Sequence, residues 1–173
     1  MTPPSTLIFL RHAQTPWNRA DLTMGQSDIP LSDLGRQEAI QAVAALKTLQ
    51  IDVIVCSHLK RCLQTISPFR AVGDCQISIN PAWAERSWGV YEGVSKSQRG
   101  QETHPKNGET DADFRDRIRH ALNGLPSGKN ILLVSHSGVF RELRRFGYES
   151  DLALDKIPHA IPVRLRRNRA PQG

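Results

Sequence analysis

The chain has 173 residues, 39% of them apolar and 23% charged, with a net charge of +6. That composition describes one globular domain over residues 1–173, large enough to build a core without disulfide staples. No apolar run approaches the ~18–20 residues of a membrane span, and Met1 to Thr6 lacks the basic and long apolar regions of a secretory signal. No membrane partner is expected. Three cysteines (Cys56, Cys62, Cys75) are an odd number without metal-site spacing, which fits reduced thiols in a cytoplasm. The positive charge concentrates in Arg141, Arg144 and Arg145 and in a tail, residues 164–173, with Arg164, Arg166, Arg167 and Arg169. Lacking interleaved aromatics, the tail reads as a solvated basic end and no nucleic acid is expected as partner. Its field would still draw small anions.

In chain order, the apolar run Leu7 to Leu10 predicts a strand buried on both faces, stopping at Arg11 and His12. Residues 19–30 form a loop with Gly25, Asp28 and Pro30. Ser32 is placed as the N-cap of a helix reaching Gln50, with Ala39, Ile40, Val43 and Ala44 on its apolar face and Leu46 and Leu49 joining them. Ile51 to Cys56 is a second strand, ending at Ser57 and His58. A helix then starts near Leu59, turns Leu63 and Ile66 inward, and is ended or kinked by Pro68. Gln76 to Ile79 is a third strand. Residues 81–105 are irregular and rich in aromatics, too long for a simple connection, which points to a lid or substrate loop over 86–106. A helix over Glu109 to Asn123 follows, then a strand over Ile131 to Val134 ending at Ser135 and His136. Ser137 and Gly138 open a short helix to Phe146, and Ile161 to Arg166 forms a last strand. Strands alternating with helices predict an α/β fold: a three-layer α/β/α sandwich around a central, mainly parallel sheet.

In such sheets ligands bind just beyond the carboxyl ends of the strands. The three best strands all end in a polar pair containing histidine: Arg11-His12, Ser57-His58 and Ser135-His136. One such histidine is more often structural than functional; three at one sheet edge, two with an arginine nearby, point to phosphoryl transfer. The guanidiniums of Arg11 and Arg61 can hold non-bridging oxygens by forked hydrogen bonds, and one imidazole can act as nucleophile. A second imidazole, if protonated, would stabilise the charge of the transferring group. Glu85, in the aromatic loop, offers an acid for the leaving alcohol. A zinc site at His12 and His136 lacks a third ligand and would be repelled by the arginines beside it.

These residues sit in segments that resemble the histidine phosphatase superfamily, which includes the cofactor-dependent phosphoglycerate mutases. RHAQTPWN (11–18) is similar to the signature RHGxTxxN, and GQSDIPLSDLGRQEA (25–39) to the stretch that follows it, with Glu38 where Gln is usual. SHLKRCLQT (57–65) resembles the segment with the second phosphate arginine, AERSWGVYEG (84–93) the one with the acidic Glu, NGET (107–110) a helix start, and VSHSG (134–138) the segment with the second histidine. The resemblance implies a phosphoglycerate mutase-like fold with His12 as the nucleophile that becomes phosphohistidine. Arg11, Arg61 and His136 would hold the phosphoryl group, Asn18 and Ser137 would line its site, and Glu85 would protonate the leaving oxygen. It implies no cofactor and no metal.

Besides Glu38, two positions beside the histidines depart from the pattern. Ala13 stands where glycine is usual, and a methyl there would carry a cost if the backbone needed positive φ or a very close approach to phosphate. Ser137 stands where glycine is usual, with Gly138 one place later. Neither change removes a reacting group. The expected function is a metal-independent phosphomonoesterase acting on a small phosphorylated metabolite, as monomer or homodimer in the cytoplasm. The alternatives are a phosphoglycerate mutase-type phosphotransferase, a non-catalytic phospho-ligand binder and, more weakly, a nucleic-acid module using the tail. Several residues have plain structural readings. His58 is expected at the rim or in solvent, and His104, His120 and His159 at the surface. Trp17, Trp88 and Tyr91 are expected to pack under the lid as readily as touch substrate. Glu92 is expected to be structural, Glu109 at the pocket edge or helix start, and Cys56 and Cys62 buried.

Overall fold

A computed structural model describes residue 4 and residues 6–152 and 156–168. Its sheet grows from the apolar runs. In β1 (Thr6–Arg11), Leu7 to Leu10 are all buried, as a strand covered on both faces requires. β4 (Asn130–Ser135) and β2 (Val53–Cys56) follow the same rule. With β3 (Gln76–Ile79), β5 (Tyr148–Ser150) and β6 (Pro162–Arg167) they make one sheet in the order β3-β2-β4-β1-β6-β5. The first four strands in that order are mutually parallel; β6 runs antiparallel to β1, and β5 antiparallel to β6.

Alternate strand residues feed two cores, one per face. Leu7, Phe9, Val53, Val55, Ile131 and Leu133 pack on Phe114 and Ile118 of α5 (Asp111–Asn123) and on Val139, Phe140 and Leu143 of α6 (Ser137–Arg145). Ile8, Leu10, Ile54, Cys56, Leu132 and Val134 pack on Ala39, Ala42 and Leu46 of α2 (Asp33–Lys47) and on Cys62, Ile66 and Phe69 of α3 (Lys60–Arg70). The three-layer sandwich follows directly. Ser32 caps α2 as predicted, accepting from Gly35 N–H.

Some boundaries and faces differ from expectation. Ile40 is 63% exposed, because the inward stripe of α2 is the row of small residues Gly35, Ala39 and Ala42 leading to Leu46. Pro68 neither ends α3 nor stands outside it. It falls in the last turn, where the missing N–H removes a bond only near the end of the ladder. Arg164, Arg166 and Arg167 are not a loose tail: they alternate with the buried Val163 and Leu165 on β6, so the charges stay exposed on an ordered strand. Arg169 lies outside the described residues. β5 was not predicted; three residues carry no readable period. Among the described residues no helix is long and apolar enough to cross a membrane.

The strand ends meet as expected. Arg11 pairs with Ser135 and Cys56 with Val134, and the register is carried one residue further by His12 N–H to Ser135 O (2.9 Å) and Ser57 N–H to Val134 O (3.0 Å).

Candidate active site

Past Arg11 the backbone turns away from the sheet, and the peptides at 12–14 must find other partners for their polar groups. Each does. The His12 carbonyl accepts from Nδ1 of His159, Ala13 N–H donates to Thr65 Oγ1, and Gln14 N–H donates to Glu38 Oε2, all at 2.8 Å. The Ala13 carbonyl accepts from Nδ1 of His12 itself, also at 2.8 Å. That bond puts the proton of the neutral His12 ring on Nδ1 and leaves the lone pair on Nε2. Burial, with Arg61 and Arg11 close by, holds this imidazole well below its usual range. Ala13 lies outside the left-handed region, so its methyl carries no strain; it is buried against the α2–α3 core.

Arg61 is fully buried on the first turn of α3. Its Nη1 donates to Ser27 O (2.8 Å), Nη2 to Gly25 O (2.7 Å) and Nε to His136 Nδ1 (3.3 Å). Carbonyls satisfy its hydrogen bonds without cancelling its charge. Accepting at Nδ1 fixes the other nitrogen of His136 as the donor, and Nε2 gives its proton to Ser57 Oγ at 2.9 Å. Burial, then Arg61, hold His136 well below the usual histidine range. In the free protein His136 is therefore a neutral ring standing behind Arg61, 5.3 Å from the His12 ring centroid, and not an imidazolium facing the cavity. Arg11 spends Nη1 on Ile157 O (2.9 Å) and keeps a buried Nε with no partner. Among the described residues neither Arg11 nor Arg61 forms an ion pair.

Glu85 enters from the other side. One carboxylate oxygen accepts from its neighbour Arg86 N–H and the other from Gly138 N–H at the start of α6, each at 2.9 Å. A Cβ at position 138 would lie 1.9 Å from Glu85 Oε1, so any side chain here would push the Glu85 carboxylate out of its present place. The shift from SHG to SHSG thus keeps a glycine where the acid approaches, and Ser137 beside it lines the cavity. Arg117 fastens the chain around Glu85, donating to the carbonyls of Ala82, Ala84 and Glu85 while paired at 2.7 Å with both oxygens of Glu109. Asn18 closes the capping box of α1 (Pro16–Arg19), its Oδ1 accepting from Thr15 N–H at 3.0 Å.

Glu92 is the latch between lid and loop. It accepts from the N–H groups of Gln26 (2.9 Å), Ser27 (2.7 Å) and Trp88 (3.0 Å) and from Ser27 Oγ (2.6 Å). Gly25 has φ +55°, and a Cβ there would fall 2.1 Å from Glu92 Oε1. Beyond it Gly93 and Val94 exchange hydrogen bonds with Thr23 at 2.8 Å, so the lid is tied down, not open. Beneath it lies a cavity of about 120 Å³ whose walls include Arg11, His12, Asn18, Arg61, Glu85 and Ser137, with Trp88, with Lys96 and Arg99 of the short α4 (Lys96–Arg99), and with Arg141 of α6. Arg99 stacks 3.7 Å from the Trp88 ring centroid. So many cations around one carboxylate make a site for an anion. A larger groove of about 600 Å³, lined by Val55, Trp83, Ala121 and Leu125, holds none of these strand-end residues.

Residues 7–154 match the model of the Histidine phosphatase superfamily (branch 1). The chain belongs to that superfamily. A 2,3-bisphosphoglycerate-dependent phosphoglycerate mutase of Methanococcus vannielii is 28% identical, covering 92% of this chain and 89% of that protein. A probable phosphoglycerate mutase GpmB of Enterobacter sp. strain 638 is 33% identical over 75% of this chain and 68% of its own length. Among solved structures, TTHB049 from Thermus thermophilus superposes with a TM-score of 0.72 at 28% identity, covering 92% of each chain. A putative alpha-ribazole-5'-P phosphatase from Escherichia coli gives a TM-score of 0.76 over 98% of each chain; at 23% identity it supports the fold alone.

In this member of the superfamily the structure brings His12, Arg11, Arg61, Asn18, Glu85 and Ser137 to one cavity, with His136 behind it. His58, His104 and His120 are exposed as expected. His159 is half-buried at a surface groove, and its inner side meets the site: its ring centroid is 5.6 Å from that of His12. Arg86 and Arg117 were missed. Arg86 is 5% exposed, pairs with Asp111 and donates to the carbonyls of Glu109 and Thr103. Only the three-dimensional closure of the lid gives these arginines partners, so no local pattern marked them. Burial pushes the Cys62 thiol up to about 12 and raises Cys56 as well, so both stay protonated and inert.

The two buried imidazoles make folding pH-dependent. His12 and His136 are neutral when folded but return to about 6.5 when unfolded. Below that value the unfolded chain binds the extra protons, so stability falls as pH falls, by about 1.4 kcal/mol per pH unit for each ring until the folded values are reached. Thermal melts from pH 7.5 to 5 should decline, and His136→Gln should show a shallower decline from a lower starting point. Parallel profiles for the two proteins would contradict this.

Proposed function

We propose that this histidine phosphatase is a metal-independent phosphomonoesterase working through phospho-His12. The observation that carries the reading is the buried neutral His12, with its lone pair on Nε2, in one small cavity with two guanidiniums that form no ion pair among the described residues. A phosphate monoester would enter with its non-bridging oxygens on Arg11 and Arg61, helped by Asn18 and Ser137. Nε2 of His12 forms a bond to phosphorus as the bond to the ester oxygen breaks, and the Glu85 carboxyl gives its proton to that oxygen. The alcohol leaves. Water then attacks phosphorus, Glu85 takes the water's proton, and the P–N bond breaks to return neutral His12 and inorganic phosphate. His136 orients Arg61 through Nδ1 in the free protein and stands close enough to respond to the arriving negative charge.

A second reading is a phosphotransferase of the mutase type, favoured by the names of the relatives at 28% and 33% identity. The test for both is to quench the protein during turnover of p-nitrophenyl phosphate in EDTA. A phosphoryl group on the chain that is labile to acid and stable to alkali is the expected result. Steady turnover with no such group, or turnover abolished by EDTA, would sink the mechanism. Phosphoglycerate interconversion on adding bisphosphoglycerate would select the transferase reading.

A further inference from the structure

The segment leading into β6 grips the end of β1 at three points. Ala160 N–H donates to Arg11 O (3.0 Å), Arg11 Nη1 donates to Ile157 O (2.9 Å), and His159 Nδ1 donates to His12 O (2.8 Å). The third bond completes a set. The peptide joining residues 12 and 13 is held at its carbonyl by His159 and at its N–H by Thr65, while the next peptide is held by His12 Nδ1 and Glu38. Thr65 acts from α3 and Glu38 from α2. Among the described residues the carbonyl of His12 itself has a single side-chain partner, His159, whose ring also packs against the His12 ring.

We propose that His159 is a positioning residue for phosphoryl transfer. By donating Nδ1–H to the carbonyl of His12 it fixes the peptide from which the His12 ring hangs. The ring's Nδ1–H can then reach Ala13 O while Nε2 stays aimed at phosphorus. This rests on His12 being the nucleophile. A nucleophile misplaced by a fraction of an ångström loses rate and not ground-state affinity. His159 also lines a surface groove of about 270 Å³ with Glu38, Gln41 and Ala42, so its ring can be changed from the outside of the fold. Arg11 and Lys96 oppose a positive charge on it and Glu38 favours one; burial dominates and keeps it neutral, the state in which only Nδ1 donates.

Two variants separate positioning from mere packing. His159→Phe keeps the ring and removes the donor; His159→Asn gives up the ring and keeps an amide donor at the position of Nδ1. With p-nitrophenyl phosphate in EDTA, His159→Phe should lower kcat about tenfold with KM within about twofold, and His159→Asn should recover most of the loss. Vanadate, which resembles the transferring group, should bind about tenfold more weakly to His159→Phe while inorganic phosphate affinity holds. Wild-type kcat in His159→Phe, or equal losses in both variants, would overturn the proposal while His12-dependent turnover still stood. Wild-type turnover that persists in His12→Ala would overturn the nucleophile assignment and the proposal together.

Discussion

Replacing His12 with alanine is expected to lower p-nitrophenyl phosphate hydrolysis in EDTA by at least ~10³-fold, the scale seen when a nucleophile is deleted from an otherwise intact site. The anion site should survive. Arg11 is held by the Ile157 carbonyl and Arg61 by the carbonyls of Gly25 and Ser27, none of these bonds involving the imidazole, so the guanidiniums keep their places. Inorganic phosphate should therefore still raise the melting temperature of the variant, because a ligand at ~100 times its Kd stabilises by about 2.7 kcal/mol. The paired result assigns chemistry to His12 and binding to the arginines. Loss of both would mean that the ring supports the fold around the cavity, and loss of neither would remove His12 from the mechanism. Parallel melts in buffer distinguish a damaged fold from a silenced site.

Much of this arrangement could be read before any coordinates. Leu7 to Leu10, Ile51 to Cys56 and Ile131 to Val134 announce buried strands by composition alone, the second of them beginning at Val53 in the structure. Because parallel strands share a direction, their terminal His12, Ser57 and His136 had to fall along one edge. What the sequence could not say is which partner each polar atom takes. Arg61 looked like a free phosphate arginine, yet it is braced by the carbonyls of Gly25 and Ser27, and those carbonyls are placed by Glu92 from a loop more than sixty residues away. His136 looked like a phosphate ligand, and its orientation depends on Ser57 and Arg61 from a third segment. His159 sits among ordinary surface residues in the sequence, and only the antiparallel return of β6 carries it to His12. Side chains whose roles depend on two or more distant segments leave no local period or cap to read.

The same distinction explains the two unusual positions. Ala13 required knowledge of φ, which turned out ordinary. Gly138 required knowledge of what approaches it, which is Glu85. A resemblance identifies which residues recur; the contact at each position decides which replacements that position tolerates.

Glu85→Gln gives the second large effect, and it depends on the leaving group. A phenolate such as p-nitrophenolate is stable enough to leave without a proton, whereas an alkoxide is not. General acid catalysis is worth ~10²–10⁴-fold where the leaving oxygen needs it. The kcat/KM for an alkyl phosphate such as glycerol phosphate should fall by that factor, and that for p-nitrophenyl phosphate by only a few fold. Glutamine cannot accept from both Arg86 N–H and Gly138 N–H, so one of two hydrogen bonds is lost, but that loss is common to both substrates and cancels in their ratio. Hydrolysis of the phosphoenzyme needs Glu85 as base whichever substrate loaded it. With p-nitrophenyl phosphate the variant should release about one equivalent of nitrophenolate quickly and then slow down, with His12 phosphorylated, as expected when a first step outpaces a second. Equal losses on both substrates without a burst would show that Glu85 only holds α6 in place through Gly138. A burst with a leaving-group-dependent ratio requires that one carboxyl both gives a proton to the leaving oxygen and takes one from water.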